Sequence, residues 1–188
     1  MKSMTKRLLA ALLAVAALFA LAGCSKSDKA DAAPKDYTKI LHDARPDEDN
    51  EYYMIFSPGK DGKFTAQYGY SDSYDAAQLD EEIRNMLLPL LNLEEDMYTD
   101  FAASVSGMMV QSYGIAIVKP AEGKQQAVSE ALDAYVQSQM QSMEHYLEDQ
   151  YQIAASSHIS TAPTGEVILV CCENPEAVMN AIKTALAA

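Results

Sequence analysis

The sequence predicts an α+β domain in which helices pack on a small, mostly antiparallel sheet. Three observations favour this class. Short apolar runs flank Gly, Pro and Asp clusters, apolar residues elsewhere recur three and four positions apart, and 188 residues suffice for one domain. The predicted order of elements is β-β-α-β-α-β-β-α. We assign them to a single domain at residues 51–188, preceded by a segment of a different kind.

A hairpin and a helix are predicted in the first half of this domain. The strand-like runs 52–56 and 64–68 flank the Gly- and Pro-containing segment 58–62, which is a hairpin signal. From Asp75 to Leu93, leucine, isoleucine and methionine recur at helical spacing. Pro89 lies inside that pattern, so we expect the helix to kink or end near there.

The second half begins with a strand at 113–118 that is apolar on both faces, as expected of a central strand. One long amphipathic helix is predicted over 122–149, followed by two strands at 155–161 and 166–172. The last helix should start at Asn174-Pro175, since Asn is a favoured N-cap and Pro a favoured first helical residue.

The N-terminus has the features of a secretory signal. A positively charged segment at 1–7 precedes 13 apolar residues at 8–20, a run too short to span a bilayer comfortably. The next residues, Leu-Ala-Gly-Cys, resemble the lipobox of bacterial lipoproteins. That resemblance implies a signal peptide at 1–23, cleavage before Cys24 and attachment of diacylglycerol to its thiol. Two or more acyl chains would anchor the protein stably to the membrane.

Residues 24–50 are predicted to form the lipidated N-terminus and a flexible tether. The segment 25–36 is small and charged, and it cannot bury enough apolar surface to fold by itself. One short helix is expected at 37–44, and the acidic run 47–51 should be a solvated approach to the first strand. The predicted location is the extracytoplasmic face of the cell membrane.

The charge balance excludes some partners. The chain carries 14 Lys+Arg and 27 Asp+Glu, a net charge of −13. Removal of the signal peptide removes three of the positive charges and leaves a net charge of −16. Nucleic-acid binders meet phosphates with Lys and Arg, so we predict no nucleic-acid partner. A polybasic membrane-binding patch is also unexpected.

Cys171 and Cys172 are the cysteines that remain after Cys24. They are adjacent in a predicted strand, so their side chains should point to opposite faces of the sheet. A vicinal redox or metal-binding pair is one interpretation, and two small hydrophobic core residues are the other. We favour the second, because no histidine stands at a spacing typical of metal ligands.

No catalytic motif is recognisable, and we predict no catalytic residue, metal ligand or cofactor. The acidic runs 47–51, 80–82 and 94–96 lack the ligand spacing and central glycine of an EF-hand loop. They are interpreted as solvated faces, with a weak surface cation site as the alternative.

The tyrosines of the predicted hairpin are the candidate binding residues. The first candidates are Tyr53, Tyr68 and Tyr70, and the group also includes Tyr52 and Tyr74. Tyrosine supplies rigid, amphipathic contact area and is enriched at interfaces. The alternative is that these rings pack on the following helix as core aromatics, in a chain that has no Trp.

Three segments carry a family resemblance: YGIAIVKPAEGKQQAV from Tyr113, HYLEDQYQIAASSHI from His145 and EVILVCCENPEAV from Glu166. They resemble the extracytoplasmic bacterial lipoproteins grouped as domain of unknown function 4358. The resemblance implies a lipoprotein of similar fold and supplies no catalytic residue. The sequence therefore favours a membrane-anchored, non-enzymatic binding module for a protein or envelope component. A small-ligand-binding or hydrolytic envelope protein with a carboxylate-based site is the alternative.

Overall fold

The computed structural model describes residues 34–188, in which six antiparallel strands form one sheet in the order β2-β1-β3-β4-β6-β5. The α+β class and the antiparallel sheet are confirmed. The strands are β1 (Ile55–Pro58), β2 (Phe64–Gln67), β3 (Tyr98–Val105), β4 (Gly114–Pro120), β5 (His158–Thr161) and β6 (Val167–Cys171).

The helices lie on both faces of this sheet. They are α1 (Tyr37–Ala44), α2 (Asp47–Tyr52), α3 (Ala76–Glu82), α4 (Leu88–Leu90), α5 (Gln125–Met143), α6 (Glu148–Ala155) and α7 (Pro175–Ala187), with a 3-10 turn at Gly69–Ser73 and a π-helical turn at Ile83–Leu87. On one face, most of the core residues come from the sheet, from α3 with the π-helical turn and α4 that follow it, and from α5. Helices α1 and α7 cover the other face.

The folded part of the chain begins before residue 51. Helix α1 buries Tyr37 and Leu41 against the sheet, and the Tyr37 hydroxyl donates a hydrogen bond to Glu166 at 2.9 Å. The acidic run predicted to be a solvated approach forms α2 instead. The helix expected at 37–44 is thus confirmed, and residues 47–50 at the end of the predicted tether are helical as well. The signal peptide, Cys24 and the tether up to residue 33 lie outside the described residues.

The central strand β4 and helix α7 confirm two of the predictions. Every residue of β4 from Gly114 to Val118 is buried, and α7 begins at Pro175 as expected. Pro89 likewise stands near the end of its helix, where the π-helical turn passes into the short α4. A proline cannot donate the backbone hydrogen bond that a continuing α-helix needs at this position.

The second half differs from the prediction at three points. Strand β3 is not predicted from the sequence. Its buried part is Phe-Ala-Ala-Ser-Val, and these residues, three of them small, do not show the alternation of apolar and polar side chains that indicates a strand. The single helix predicted over 122–149 is two helices separated by a turn at 144–147. The turn contains neither Gly nor Pro, and Leu147 adopts an extended backbone there. The strand predicted from residue 155 begins at His158, because α6 occupies the positions before it.

Within residues 34–188, no helix combines the length and the apolar character that a membrane crossing requires.

Candidate functional site

A cavity of about 290 Å³ lies at the end of the sheet where β4 begins and β6 ends. We call it the acidic cavity, because three carboxylates line it and none of its lining residues is basic. Its polar and aromatic lining comes from α2, from the segments flanking β4 and β6, and from α6: Glu48, Asp49, Tyr53, Gln111, Ser112, Tyr113, Gln150, Cys172, Glu173 and Asn174.

Two stacked tyrosine rings form part of this cavity. The ring centroids of Tyr53 and Tyr113 are 3.8 Å apart and the planes differ by 12°. The Tyr53 hydroxyl donates to the side-chain oxygen of Gln111 at 3.0 Å. Tyr113 is buried, and burial raises the pKa of its hydroxyl far above the usual value, so this group stays protonated and neutral.

Arg45 is a buried cation that ties the acidic cavity to the sheet. It is 5 % exposed, and its guanidinium donates to the Asn50 side chain at 2.6 Å, to Ser104 Oγ at 2.7 Å and to the Tyr53 carbonyl at 2.6 Å. A further bond reaches the Tyr113 hydroxyl at 3.2 Å. Among the described residues no carboxylate lies within 4 Å of this guanidinium. Its charge is therefore met by neutral acceptors.

Asp49 is the half-buried carboxylate of the acidic cavity. Burial raises its pKa, and the Tyr113 hydroxyl and the charge of Arg45 only partly oppose that rise. Neither Asp49, Glu48 nor Glu173 has a Lys, Arg or His within ion-pair distance in the described part of the chain. The three carboxylates of the cavity therefore form no ion pair in the described part of the chain, and the buried charge of Arg45 beside Tyr113 partly compensates Asp49.

Ser112 lines the same cavity and is 3 % exposed. Its backbone N–H donates to Gln150 at 2.9 Å, whereas its hydroxyl oxygen has no hydrogen-bond partner among residues 34–188. A buried hydroxyl without a partner costs about 1–3 kcal/mol.

The two buried cysteines lie on opposite faces of the sheet, as predicted. Cys171 packs in the core beneath α5, and Cys172 packs in the core beneath α7. Within the described residues no group of three His, Cys, Asp or Glu side chains has a geometry that could hold a metal ion.

These thiols should react slowly in the folded protein. Burial raises the pKa of both to about 11, against 9.0 for a free thiol. The thiolate fraction near neutral pH therefore falls about a hundredfold, before limited access is considered. We expect iodoacetamide to label both cysteines at least about a hundredfold faster in urea than in buffer, as measured by mass spectrometry. Rapid labelling of the native protein would contradict the buried assignment.

Four of the five candidate tyrosines, all except Tyr68, line a second cavity of about 220 Å³ next to the acidic cavity. Tyr52 and Tyr70 are each 52 % exposed, and their rings meet edge to face with centroids 5.4 Å apart. Tyr53 lines both cavities. We define the tyrosine surface as the exposed large side chains that line this second cavity: Tyr52, Tyr70, Tyr74 and Met108.

The loop between β3 and β4 extends the exposed apolar area beyond Met108. Met109 is 87 % exposed and Val110 is also exposed, so three consecutive apolar side chains face solvent. Ser106 holds the loop closed, because its N–H donates to the Tyr113 carbonyl at 2.9 Å and its hydroxyl accepts from the Met108 N–H at 3.1 Å. The loop is fixed at both ends while its tip is apolar.

Of the three leading tyrosines, the structure brings two together. Tyr53 and Tyr70 both line the second cavity, whereas Tyr68 stacks on His42 of α1 with centroids 4.2 Å apart. The placement of these tyrosines on the hairpin is wrong, since none of the five lies in its strands. Tyr52 and Tyr53 lie at the end of α2, and Tyr68, Tyr70 and Tyr74 lie in or next to the 3-10 turn that follows β2. Sequence reasoning missed the acidic cavity because its residues come from four separate segments. The only signal was the acidic run that contains Asp49.

A family model described as Domain of unknown function (DUF4358) matches residues 71–172, more than half of the chain. The chain belongs to this family. The DUF4358 segment runs from the 3-10 turn to the end of β6 and contains the complete β3–β4–β5–β6 part of the sheet. It includes Ser112, Tyr113 and Gln150 of the acidic cavity, whereas Asp49 and Tyr53 precede it. No curated protein and no solved structure was found to match the chain.

Proposed function

We propose that this DUF4358 protein is a lipid-anchored, extracytoplasmic binding module that captures a protein partner through the tyrosine surface and has no catalytic activity of its own. The lipid is attached to Cys24, and the segment after it lets the domain reach its partner. The observation that carries the proposal is the grouping of exposed tyrosine and methionine side chains around a cavity. Such side chains are enriched in the energetically important centres of protein interfaces.

The charge of the chain defines the partner further. The net charge of −16 that remains after removal of residues 1–23 favours a partner with a positively charged surface around its contact residues. Glu82 lines the second cavity together with the tyrosines, so one carboxylate lies within the contact area itself. The partner should place an apolar side chain in the cavity and basic side chains at its edge. Capture should therefore weaken as the salt concentration rises.

Cross-linking on intact cells tests both parts of this proposal. The anchored protein should capture one abundant partner, and a secreted Cys24→Ser form should capture much less of it. Replacement of Tyr52 or Tyr70 by alanine should lower capture about tenfold or more, because a tyrosine at the hot spot of an interface contributes about 2 kcal/mol or more. Tyr146→Ala is the matched control, because Tyr146 is 70 % exposed on the turn between α5 and α6.

Equal capture by the Tyr52→Ala, Tyr70→Ala and Tyr146→Ala variants would exclude the tyrosine surface as the contact. Capture of a second copy of this chain would show that the protein associates with itself and not with a different protein partner. An unchanged distribution of the Cys24→Ser form between membrane and medium would exclude the lipid anchor.

A second candidate function, binding of a small ligand by carboxylates, is favoured by one observation. The acidic cavity lies beside the tyrosine surface and contains three carboxylates without basic partners among the described residues.

A further inference from the structure

The two edges of the sheet differ in how their backbone groups are used. Strands β2 and β5 are the outer strands, so each has one side that pairs with no other strand of the sheet. Backbone N–H and C=O groups on such a side are a template for a further strand. The edge of β2 is partly covered, because the Phe64 N–H donates to Asp80 of α3 at 2.7 Å and Arg84 donates to the Gly62 carbonyl at 3.2 Å.

The edge of β5 carries four backbone groups that point outward. The Ala162 N–H donates to the Glu166 carbonyl at 2.8 Å, which makes these residues a hydrogen-bonded pair at the end of the β5–β6 ladder. Hydrogen-bonded and non-hydrogen-bonded pairs alternate along an antiparallel ladder. Ser160 therefore bonds to β6, whereas Ile159 and Thr161 point their N–H and C=O groups away from it. None of these four groups has a partner among residues 34–188.

A groove runs beside this edge, between β5 and the exposed face of α5. It consists of two adjoining cavities of about 630 Å³ and about 510 Å³, and Gln126 of α5 lines both. Ile159 lines the first cavity. Thr161 lines the second, where its hydroxyl accepts from the Gln125 side chain at 3.2 Å. A strand added to β5 would therefore lie along the groove and place every second side chain in it.

The lining of the groove selects those side chains. Glu130 and Asp133 are exposed carboxylates of its α5 wall, and none of the lining residues is basic. Residues directly opposite each other in an antiparallel pair carry their side chains on the same face of the sheet. The residues that bond to Ile159 and Thr161 would therefore be those whose side chains enter the groove. Lysine or arginine at these alternating positions would lie next to the two carboxylates.

A second copy of this chain matches the edge less well than a basic segment does. Pairing of β5 with the β5 of another molecule would bring the Glu130 and Asp133 walls of the two copies towards each other. Each chain is strongly acidic, with 27 Asp+Glu against 14 Lys+Arg. Like charges across such a contact are destabilising, so the charge favours a different, basic occupant.

We propose that the edge of β5 binds an extended segment of a partner protein. This segment adds to the sheet as a further antiparallel strand and places alternate Lys or Arg side chains in the groove beside α5. The outward groups of Ile159 and Thr161 supply the main-chain hydrogen bonds, and Glu130 and Asp133 supply the selectivity. Strands β3, β4 and β6 lie between β5 and β1, so this contact is additional to the tyrosine surface.

Titration of the ¹⁵N-labelled full chain in neutral detergent micelles tests this proposal. The probe is acetyl-Thr-Lys-Thr-Lys-Thr-Lys-Thr-amide, in which every second residue is basic and threonine favours a strand. The amide protons of Ile159 and Thr161 should move downfield in a saturable way, because both gain a hydrogen bond. The Ser160 amide should move less, since it is already bonded to β6. The absence of a saturable shift at Ile159 and Thr161 would overturn the proposal.

Two matched peptides separate charge from backbone pairing. Replacement of the lysines by glutamates keeps the backbone and reverses the charge, whereas N-methylation of the lysine backbone nitrogens keeps the charge and removes the donors. Each change should weaken binding at least about tenfold. Equal binding of the glutamate peptide would show that the groove does not select a basic segment. Equal binding of the N-methylated peptide would show that the peptide does not add as a strand.

Variants of β5 and α5 locate the site. Thr161→Pro removes an outward N–H at an edge position, where proline is tolerated, and should weaken binding about tenfold. Thr161→Val is its control, because it keeps the N–H and the branched shape. The double variant Glu130→Gln/Asp133→Asn changes only exposed groups and should weaken binding about fivefold. Glu144→Gln is its control, since Glu144 is an exposed acid after the end of α5 and does not line the groove.

Wild-type affinity of both Thr161→Pro and the double variant would place the peptide elsewhere and overturn the proposal. Shifts of the Ile159 and Thr161 amides when the protein is concentrated without peptide would assign the edge to a second copy of the chain and would also overturn it. Tyr52 and Tyr70 do not line the groove, so their alanine variants should bind the peptide like wild type. Failure of strand addition is therefore distinguishable from failure of the tyrosine surface.

Discussion

Replacement of Arg45 by methionine is expected to lower the free energy of unfolding by about 3 kcal/mol or more. Methionine keeps much of the length and apolar contact of the arginine stem but supplies no donor. The Tyr53 carbonyl and the Asn50 side-chain oxygen would each lose a charged donor at 2.6 Å, and Ser104 Oγ would lose one at 2.7 Å. Each buried acceptor left without a partner costs about 1–3 kcal/mol.

The position of Arg45 explains why the loss should extend beyond the side chain. It stands between α1 and α2 and contacts a residue of β3, so it fastens the two N-terminal helices to the centre of the sheet. Asp49 and Tyr53, which line the acidic cavity, lie in or next to α2. Loosening of α2 should therefore also disturb the geometry of the acidic cavity, although Arg45 itself does not line the cavity.

Urea unfolding followed by circular dichroism measures the effect. Arg84→Met is the matched control, because Arg84 is a partly exposed arginine that pairs with Glu95 at 2.7 Å and with Asp80 at 3.4 Å and lies over the Phe64 ring. Each solvent-accessible ion pair contributes about 0–1 kcal/mol, so this control should lose clearly less stability than Arg45→Met. Similar midpoints for Arg45→Met and Arg84→Met would contradict the assignment of Arg45 as a structural cation.

The elements predicted correctly are those whose signal is local. Strand β4 is a continuous apolar run, α7 begins at an Asn-Pro pair, and the opposite directions of Cys171 and Cys172 follow from the pleat of a strand. Strand β3 and the break between α5 and α6 depend on contacts made in the folded protein. The residues at the break include no helix breaker, so propensity alone cannot place it.

In the candidate site, too, the features that could be predicted have a local signal in the sequence, and the others depend on the fold. The grouping of tyrosines at 52–74 is visible in the sequence, and two of the three leading members, Tyr53 and Tyr70, meet in the structure. Tyr68 is separated from them because its ring packs on α1. The acidic cavity could not be predicted, since Asp49 and Ser112 are distant in the sequence and the unpaired hydroxyl is a property of the fold.

Gly69→Ala is expected to destabilise the domain by about 3 kcal/mol and to displace Tyr70 from the tyrosine surface. Gly69 has a φ of +51°, a conformation that costs a residue with a Cβ about 1–2 kcal/mol. A Cβ there would also lie 2.5 Å from the carbonyl carbon of Tyr53 and 2.6 Å from the backbone nitrogen of Met54. These are backbone atoms, so no side-chain rotation can relieve the overlap, and overpacking typically adds about 1–3 kcal/mol.

Gly62→Ala separates the two contributions to this effect. Gly62 has a φ of +78° in the turn between β1 and β2, and a Cβ there would meet no atom within 4 Å. The Gly62 variant should therefore show only the conformational cost, about 1–2 kcal/mol.

Urea unfolding of both variants measures the difference between their losses of stability. That difference is the cost of the close approach of the 3-10 turn to the backbone of residues 53–54. Equal losses of stability would mean that this approach is absent, and Tyr70 would then not be held against Tyr52. A larger loss for Gly69→Ala, accompanied by loss of partner capture, would show that the crossing of these two backbone segments builds the tyrosine surface.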